Sequence, residues 1–177
     1  TGFLNPSHRE ADMAILLAQP RKGPLLTRRI ADYQLGLYAP ASRADWHDMA
    51  QQGNLASSGI PIVGYIPDMV YAPELDYLGE IEVGLKAAAR SSSILAQAQM
   101  IGSGAGIGVL PCFLAAENPA LRRIRPDLVV RRSFWLTLHQ DLAHQPRVRA
   151  FVDWIEKQIW QGRHLLNPAS NMPFVER

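Results

Sequence analysis

Three consecutive serines, an apolar stripe at helical spacing and then a strand built almost wholly of small residues narrow the ways this chain can fold. Ser91, Ser92 and Ser93 precede Ile94, Leu95, Ala98 and Ile101, which share one helical face, and Gly102 closes the helix. Gly104-Ala-Gly-Ile-Gly-Val-Leu-Pro111 follows at once. A segment so poor in side chains suits close approach to other backbone, and Pro111 stops it. The rest of the chain carries the same alternation of strand and helix.

Ala11 to Leu17 is a short apolar run closed by Gln19-Pro20 and Lys22-Gly23-Pro24, the pattern of a buried strand ended by a turn. Leu25 to Ile30 predicts a weaker strand, and Gln34 to Tyr38 another that stops at Ala39-Pro40. Ser42 to Gln52, with Trp46, Met49 and Ala50, predicts a capped helix ending at Gly53. Ile60 to Ile66 predicts a strand, and its Pro61 and Gly64 place it at an edge or a bulge. Tyr71 to Gly79 is expected as loop or short helix, and Glu80 to Leu85 as a strand. Cys112 to Ala116 makes one helical turn, Leu128 to Val130 a short strand and Ser133 to His139 a strongly alternating one. Pro146 opens a helix carrying Val148, Phe151, Val152, Ile155 and Ile159, and the tail after Gly162 is expected to be irregular. This order predicts a mostly parallel sheet flanked by helices, with ligands bound beyond the carboxyl ends of its strands.

Composition removes several function classes. The chain has 177 residues, 47% hydrophobic and 19% charged, enough for one domain or two small lobes. A net charge of +2 is too small to make nucleic acid the main partner of these residues. The only lysines are Lys22, Lys86 and Lys157. Cys112 is the only cysteine, so no internal disulfide forms and nothing points to an oxidising compartment. No basic start followed by an apolar core marks a signal peptide, and no apolar run approaches the ~20 residues of a membrane span. A cytoplasmic location and no membrane partner are the resulting expectations.

The motifs that invite catalysis do not hold together. Gly102, Gly104, Gly106 and Gly108 follow a helix and precede a strand, the reverse of a nucleotide-binding loop, and their spacing is G-x-G-x-G. Ser103 lacks the glycines two residues away on either side that a nucleophile elbow needs; Ile101 and Ala105 stand there. His139 and His144 are off a single helix face and flank a turn, so no metal spacing is present. Cys112, among apolar neighbours, reads as a packed thiol. Neither a metal nor a cofactor is expected, nor enzymatic chemistry. The serine run stays open between two roles: one serine suffices to cap a helix, whereas three beside Arg90 also suit an anion at the positive helix end.

Arg9-Glu10-Ala11-Asp12-Met13-Ala14-Ile15 resembles a strand motif of the sensor domains of LysR-type transcriptional regulators. Leu35-Gly-Leu-Tyr38-Ala39 resembles their first crossover between subdomains, and Gly104 to Pro111 their glycine-rich strand. Phe134-Trp-Leu136, Asp141 and Arg147 to Trp154 resemble the return crossover and final helix. These motifs occur in order from Arg9 to Ile159.

The resemblance implies an α/β fold of periplasmic-binding-protein type, with two lobes joined by two crossover strands. Lobe I would comprise residues 1–37 and 136–177, and lobe II residues 38–135. Gln34–Tyr38 and Phe134–His139 would run side by side as the crossovers. Family members begin with a winged helix-turn-helix and a linker helix, and the sensor's first strand and helix are expected before Thr1, which would leave lobe I incomplete. The implied function is effector sensing in an interlobe cleft, with DNA reached only through a domain outside this sequence. The intact protein would be a homo-oligomer, and this chain alone would either dimerise poorly or use an altered contact, and would not bind DNA specifically. A solute-binding protein of a transporter is the alternative, and an enzyme a more distant one. The resemblance places Ser91, Ser92, Ser93, Tyr65 and Ile66 at the effector from lobe II, and Leu17 and Asn5 from lobe I. Free amides, hydroxyls and a positive helix end favour a small organic anion, with Tyr65 and Ile66 covering its apolar body.

Overall fold

A computed structural model describes residues 11–20, 24–70 and 75–168, and two unusually long strands organise its backbone. The strand β1 is Met13–Leu16, β2 is Leu25–Pro40 and β6 is Leu121–His139, with β3 (Ile62–Gly64), β4 (Ala89–Arg90) and β5 (Ile107–Pro111) between them in sequence. At 16 and 19 residues, β2 and β6 are about three times an ordinary strand. The helices are α1 (Ala44–Gln52), α2 (Leu78–Ile81), α3 (Ile94–Gly102), α4 (Cys112–Ala115) and α5 (Pro146–Leu166). The chain divides into two compact units: Thr1–Tyr33 with Arg132–Arg177, and Gln34–Arg131. Both long strands pass from one unit to the other.

In the first unit the strand order is β1-β6-β2, with β1 antiparallel to β6 and Met13 opposite Leu138. Gln140 N donates to Pro24 O at 3.1 Å, and the Thr27 and Thr137 hydroxyls meet at 3.2 Å. Asp32 accepts from Ser133 Oγ at 2.6 Å, and the Tyr33 and Phe134 rings stack at 4.4 Å. Helix α5 opens with Pro146 in its first turn, where a missing N–H costs nothing, and Arg28 on β2 pairs with its Glu156.

The second unit has the order β6-β2-β5-β3-β4. Strand β2 is antiparallel to β5, while β3 runs parallel to both β5 and β4. Tyr38, Val63, Ala98, Ile101, Leu110 and Ala115 form a buried cluster between this sheet and α3. The glycines of β5 are there for closeness. A Cβ on Gly106 would stand 2.3 Å from Pro61 O, and one on Gly108 would stand 2.7 Å from Val63 O. Arg125, on β6, takes a left-handed φ of 46° ahead of Pro126. Its guanidinium grips Asp127 at 3.0 Å and holds that carboxyl below the usual carboxylate range.

Several expectations need correction. The weak strand from Leu25 and the strand at Gln34 are one strand, as are those at Leu128 and Ser133, because cross-strand partners carry the backbone over the polar residues between them. The sheet is mixed, not mostly parallel. Phe134–His139 and Gln34–Tyr38 lie on adjacent strands, but not on the same rungs. The bonds at Gln140 and Thr137 set the former against the start of β2, and Ala41 N donating to Ala120 O at 2.8 Å sets the latter against the start of β6.

Strand β3 is shorter than expected and interior, its Pro61 standing just outside the ladder and accepting from Ile107 N at 2.9 Å. Glu80–Leu85 contains no strand: its first residues end α2, and the missed strand is β4. Ser42 does not cap α1; Arg43 occupies that position and clasps Asp45 with bonds of 2.8 and 2.6 Å. Helix α5 continues through Gly162 to Leu166, and β1 is only partly buried.

Candidate functional site

Parallel strands β3 and β4 end side by side, at Gly64 and Arg90, and the chain leaves both of them there into loops. Ser91 N donates to Gly64 O at 3.0 Å, so the serine run starts fixed to the end of β3. Gln97, buried on α3, donates from Nε2 to Ser91 O at 2.9 Å and pins the same loop from the helix side. Ser93 is the cap: its Oγ accepts from Ala96 N at 3.4 Å. Ser91 Oγ accepts from Ser93 N at 3.2 Å, which shapes the turn into the helix. Ser92 is exposed.

Beside this junction, wholly within the second unit, lies an open cavity of about 610 Å³. Tyr65 and Tyr77 form an aromatic corner, ring edge to ring face at 6.0 Å. Val70, Leu75, Leu78 and Leu85 supply apolar wall. Gly64 forms part of the floor, where a Cβ would stand 3.1 Å from both Leu78 Cδ1 and Ala87 Cβ. Three charged residues line the same cavity: Lys86, Arg90 and Asp76. Arg90 spends Nε on Ala87 O at 3.1 Å. Among the described residues the ion pairs join other groups, and Lys86, Arg90 and Asp76 take part in none of them.

Of the residues expected at a site, Tyr65 lines this cavity, and the serine run adjoins it without lining it. Ile66 stands just outside, capping the short 3-10 turn Pro67–Met69. Leu17 belongs to the other unit, immediately after β1, and Asn5 lies outside the described residues. Sequence reasoning missed Asp76, Tyr77, Lys86 and Gln97, which come from irregular loops and one helix face between residues 76 and 97 and share no motif spacing. One signal was in view: Lys86 is one of only three lysines, and Arg90 adjoins the serines.

Other chemistry-bearing groups have ordinary partners. Cys112 is buried near Tyr38, whose hydroxyl is pushed above its usual range chiefly by burial. His139 Nδ1 accepts from Asp141 N at 3.3 Å. Among the described residues no group of three or more His, Cys, Asp or Glu could hold a metal ion. No described helix is long and apolar enough to cross a membrane.

Residues 7–160 match the family model of the LysR substrate binding domain. The chain belongs to that family. It is 26% identical over 145 residues to the Mau operon transcriptional activator of Paracoccus denitrificans, an alignment covering 81% of this chain and 47% of that protein. The chain therefore spans about half the length of the curated relative it matches. Among solved structures it resembles the regulatory domain of CrgA, a LysR-type transcriptional regulator of Neisseria meningitidis. The TM-score is 0.74 at 18% identity, over 89% of this chain and 80% of that one. Full-length LysG from Corynebacterium glutamicum with bound effector Arg superimposes with a TM-score of 0.62 at 14% identity, over 86% of this chain and 52% of that one. The LysR domain is an effector-sensing module, and its architecture is the two-lobed periplasmic-binding-protein-like fold.

Proposed function

We propose that this LysR domain senses a small organic anion through the second-unit cavity between Tyr65, Lys86 and Arg90, and passes the signal to a DNA-binding segment of the intact regulator. The observation that carries the reading is the pair of cations. Lys86 and Arg90 line one cavity, and among the described residues neither is held in an ion pair. A guanidinium suits a carboxylate through paired donors, and an ammonium adds a point charge. The loop Ser91–Ser93, fixed by Gly64 O and Gln97, adjoins this cavity at the positive end of α3 and keeps its hydroxyls within reach of a ligand that extends past Arg90. Tyr65 and Tyr77 cover the apolar body of the ligand.

The output is a population shift: an effector that binds one conformation of a cytoplasmic homo-oligomer better than another changes the DNA affinity of the whole assembly. No turnover of the ligand is part of this reading. Calorimetric titration of short carboxylates against the parent chain, Lys86→Met and Arg90→Gln tests the site. Each loss of a charge-assisted bond should weaken binding about ten- to a hundredfold. Parent-like affinity in both variants would place the anion elsewhere. Among the serines, Ser93→Ala should lower stability through the lost cap, while Ser91→Ala or Ser92→Ala should lower affinity.

A further inference from the structure

The cavity holds one charge that an anion does not use. Asp76 lines the same space as Lys86 and Arg90 and, among the described residues, has no ion pair and no side-chain hydrogen bond of its own. Asp76, Lys86 and Arg90 are all exposed at this open cavity, so a ligand seated among them displaces part of their water, and a charge that loses water without gaining a counter-charge penalises binding. A monocarboxylate satisfies the cations and leaves Asp76 stranded. A dicarboxylate is worse, because its second carboxylate shares the cavity with a like charge. A molecule with a carboxylate at one end and an amine elsewhere satisfies every group.

We infer that the effector is an amino-carboxylate, its carboxylate held by Lys86 and Arg90 and its ammonium by Asp76. The inference rests on the anion reading above and adds to it the second functional group. The aromatic corner of Tyr65 and Tyr77 fits the same ligand, since a ring face attracts an ammonium and the apolar carbons between the two charges need cover. Asp76 is therefore the specificity residue: it selects among carboxylates without being needed to bind them.

The test is a matched five-carbon series titrated by calorimetry at pH 7 against the 177-residue chain: pentanoate, glutarate, 2-aminopentanoate and 5-aminopentanoate. At least one amino acid should bind about tenfold or more tightly than both pentanoate and glutarate. Asp76→Asn should erase that advantage and relieve the penalty on pentanoate, which should bind the variant at least as tightly as the parent; that binding also shows that the variant is folded. Arg90→Gln should weaken every carboxylate. If glutarate binds most tightly, or if Asp76→Asn leaves the amino-acid advantage intact, the amino-carboxylate assignment is wrong while the anion site stands. If neither amino acid outperforms pentanoate, the same holds. If no member of the series binds, the anion reading falls together with it.

Discussion

Helices α3 and α5 show how differently the two units are held together. Nine residues of α3 bury three side chains, Gln97, Ala98 and Ile101, whereas 21 residues of α5 bury only Val148. Phe151, Trp154, Trp160 and Leu165 of α5 stay exposed. The same contrast runs through the strands. The half of β2 in the second unit, from Gln34 on, is buried continuously, while Leu25 to Ala31 in the first unit is at best half-buried. Stability follows buried apolar area, so the second unit is expected to be the cooperative core and the first the looser partner. The unit with the deeper core is also the one that carries the cavity, and a firm frame is what a charge-reading site needs.

Substitutions that measure this difference should be felt most at the glycine strand. Gly106→Ala puts a methyl 2.3 Å from the Pro61 carbonyl at a backbone φ of +157°. Strain and overlap together should cost about 2–6 kcal/mol, read from the urea midpoint. Ile101→Ala empties part of a fully buried site between α3 and the sheet, and should cost about 2–5 kcal/mol in the same measurement. Trp154→Ala removes a larger side chain from α5, yet at 55% exposure it should change stability by no more than about 0.5 kcal/mol. A loss at Trp154 as large as that at Ile101 would erase the contrast between the units.

The smallest expected effect is electrostatic. Arg125 depresses the Asp127 carboxyl, so the pair stabilises the second unit above the ordinary carboxylate range. That contribution disappears as pH falls through the lowered value. The urea midpoint of Asp127→Asn should lie below the parent's at pH 7, and the gap should close below about pH 4. A gap that persists at pH 2 would mean that Asp127 acts through something other than its charge.

The order of elements was legible because helix and strand periods differ, and α3, β5 and α5 stand where their apolar spacing puts them. The length of β2 and β6 was not, since Ala31-Asp32-Tyr33 and Arg131-Arg132, which fall between the expected strands, carry no strand pattern and are held by neighbours distant in sequence. Strand β4 was missed for a simple reason. Two residues, Ala89 and Arg90, have no period to read, and they are extended because β3 lies beside them. Of the candidate site, the serine run and Tyr65 could be found locally. Asp76, Lys86 and Gln97 are assembled by the fold, so no spacing along the chain announces them.

The exchange of β2 and β6 between units has a consequence for the moment of synthesis. The second unit is one uninterrupted stretch, Gln34–Arg131, and every residue of its core has been made before the first unit's remaining half leaves the ribosome. The first unit is split, and its early portion contains β1 and the start of β2, both of which need β6 beside them. At ~5–20 residues per second, those early strands wait several seconds for the chain from Arg132 to the end of α5. During that interval Met13, Ile15 and Leu26 are unpaired apolar strand residues on a nascent chain whose other unit can already be folded. Chaperone protection of this chain should therefore be sought at its first strands, not at its glycine-rich core.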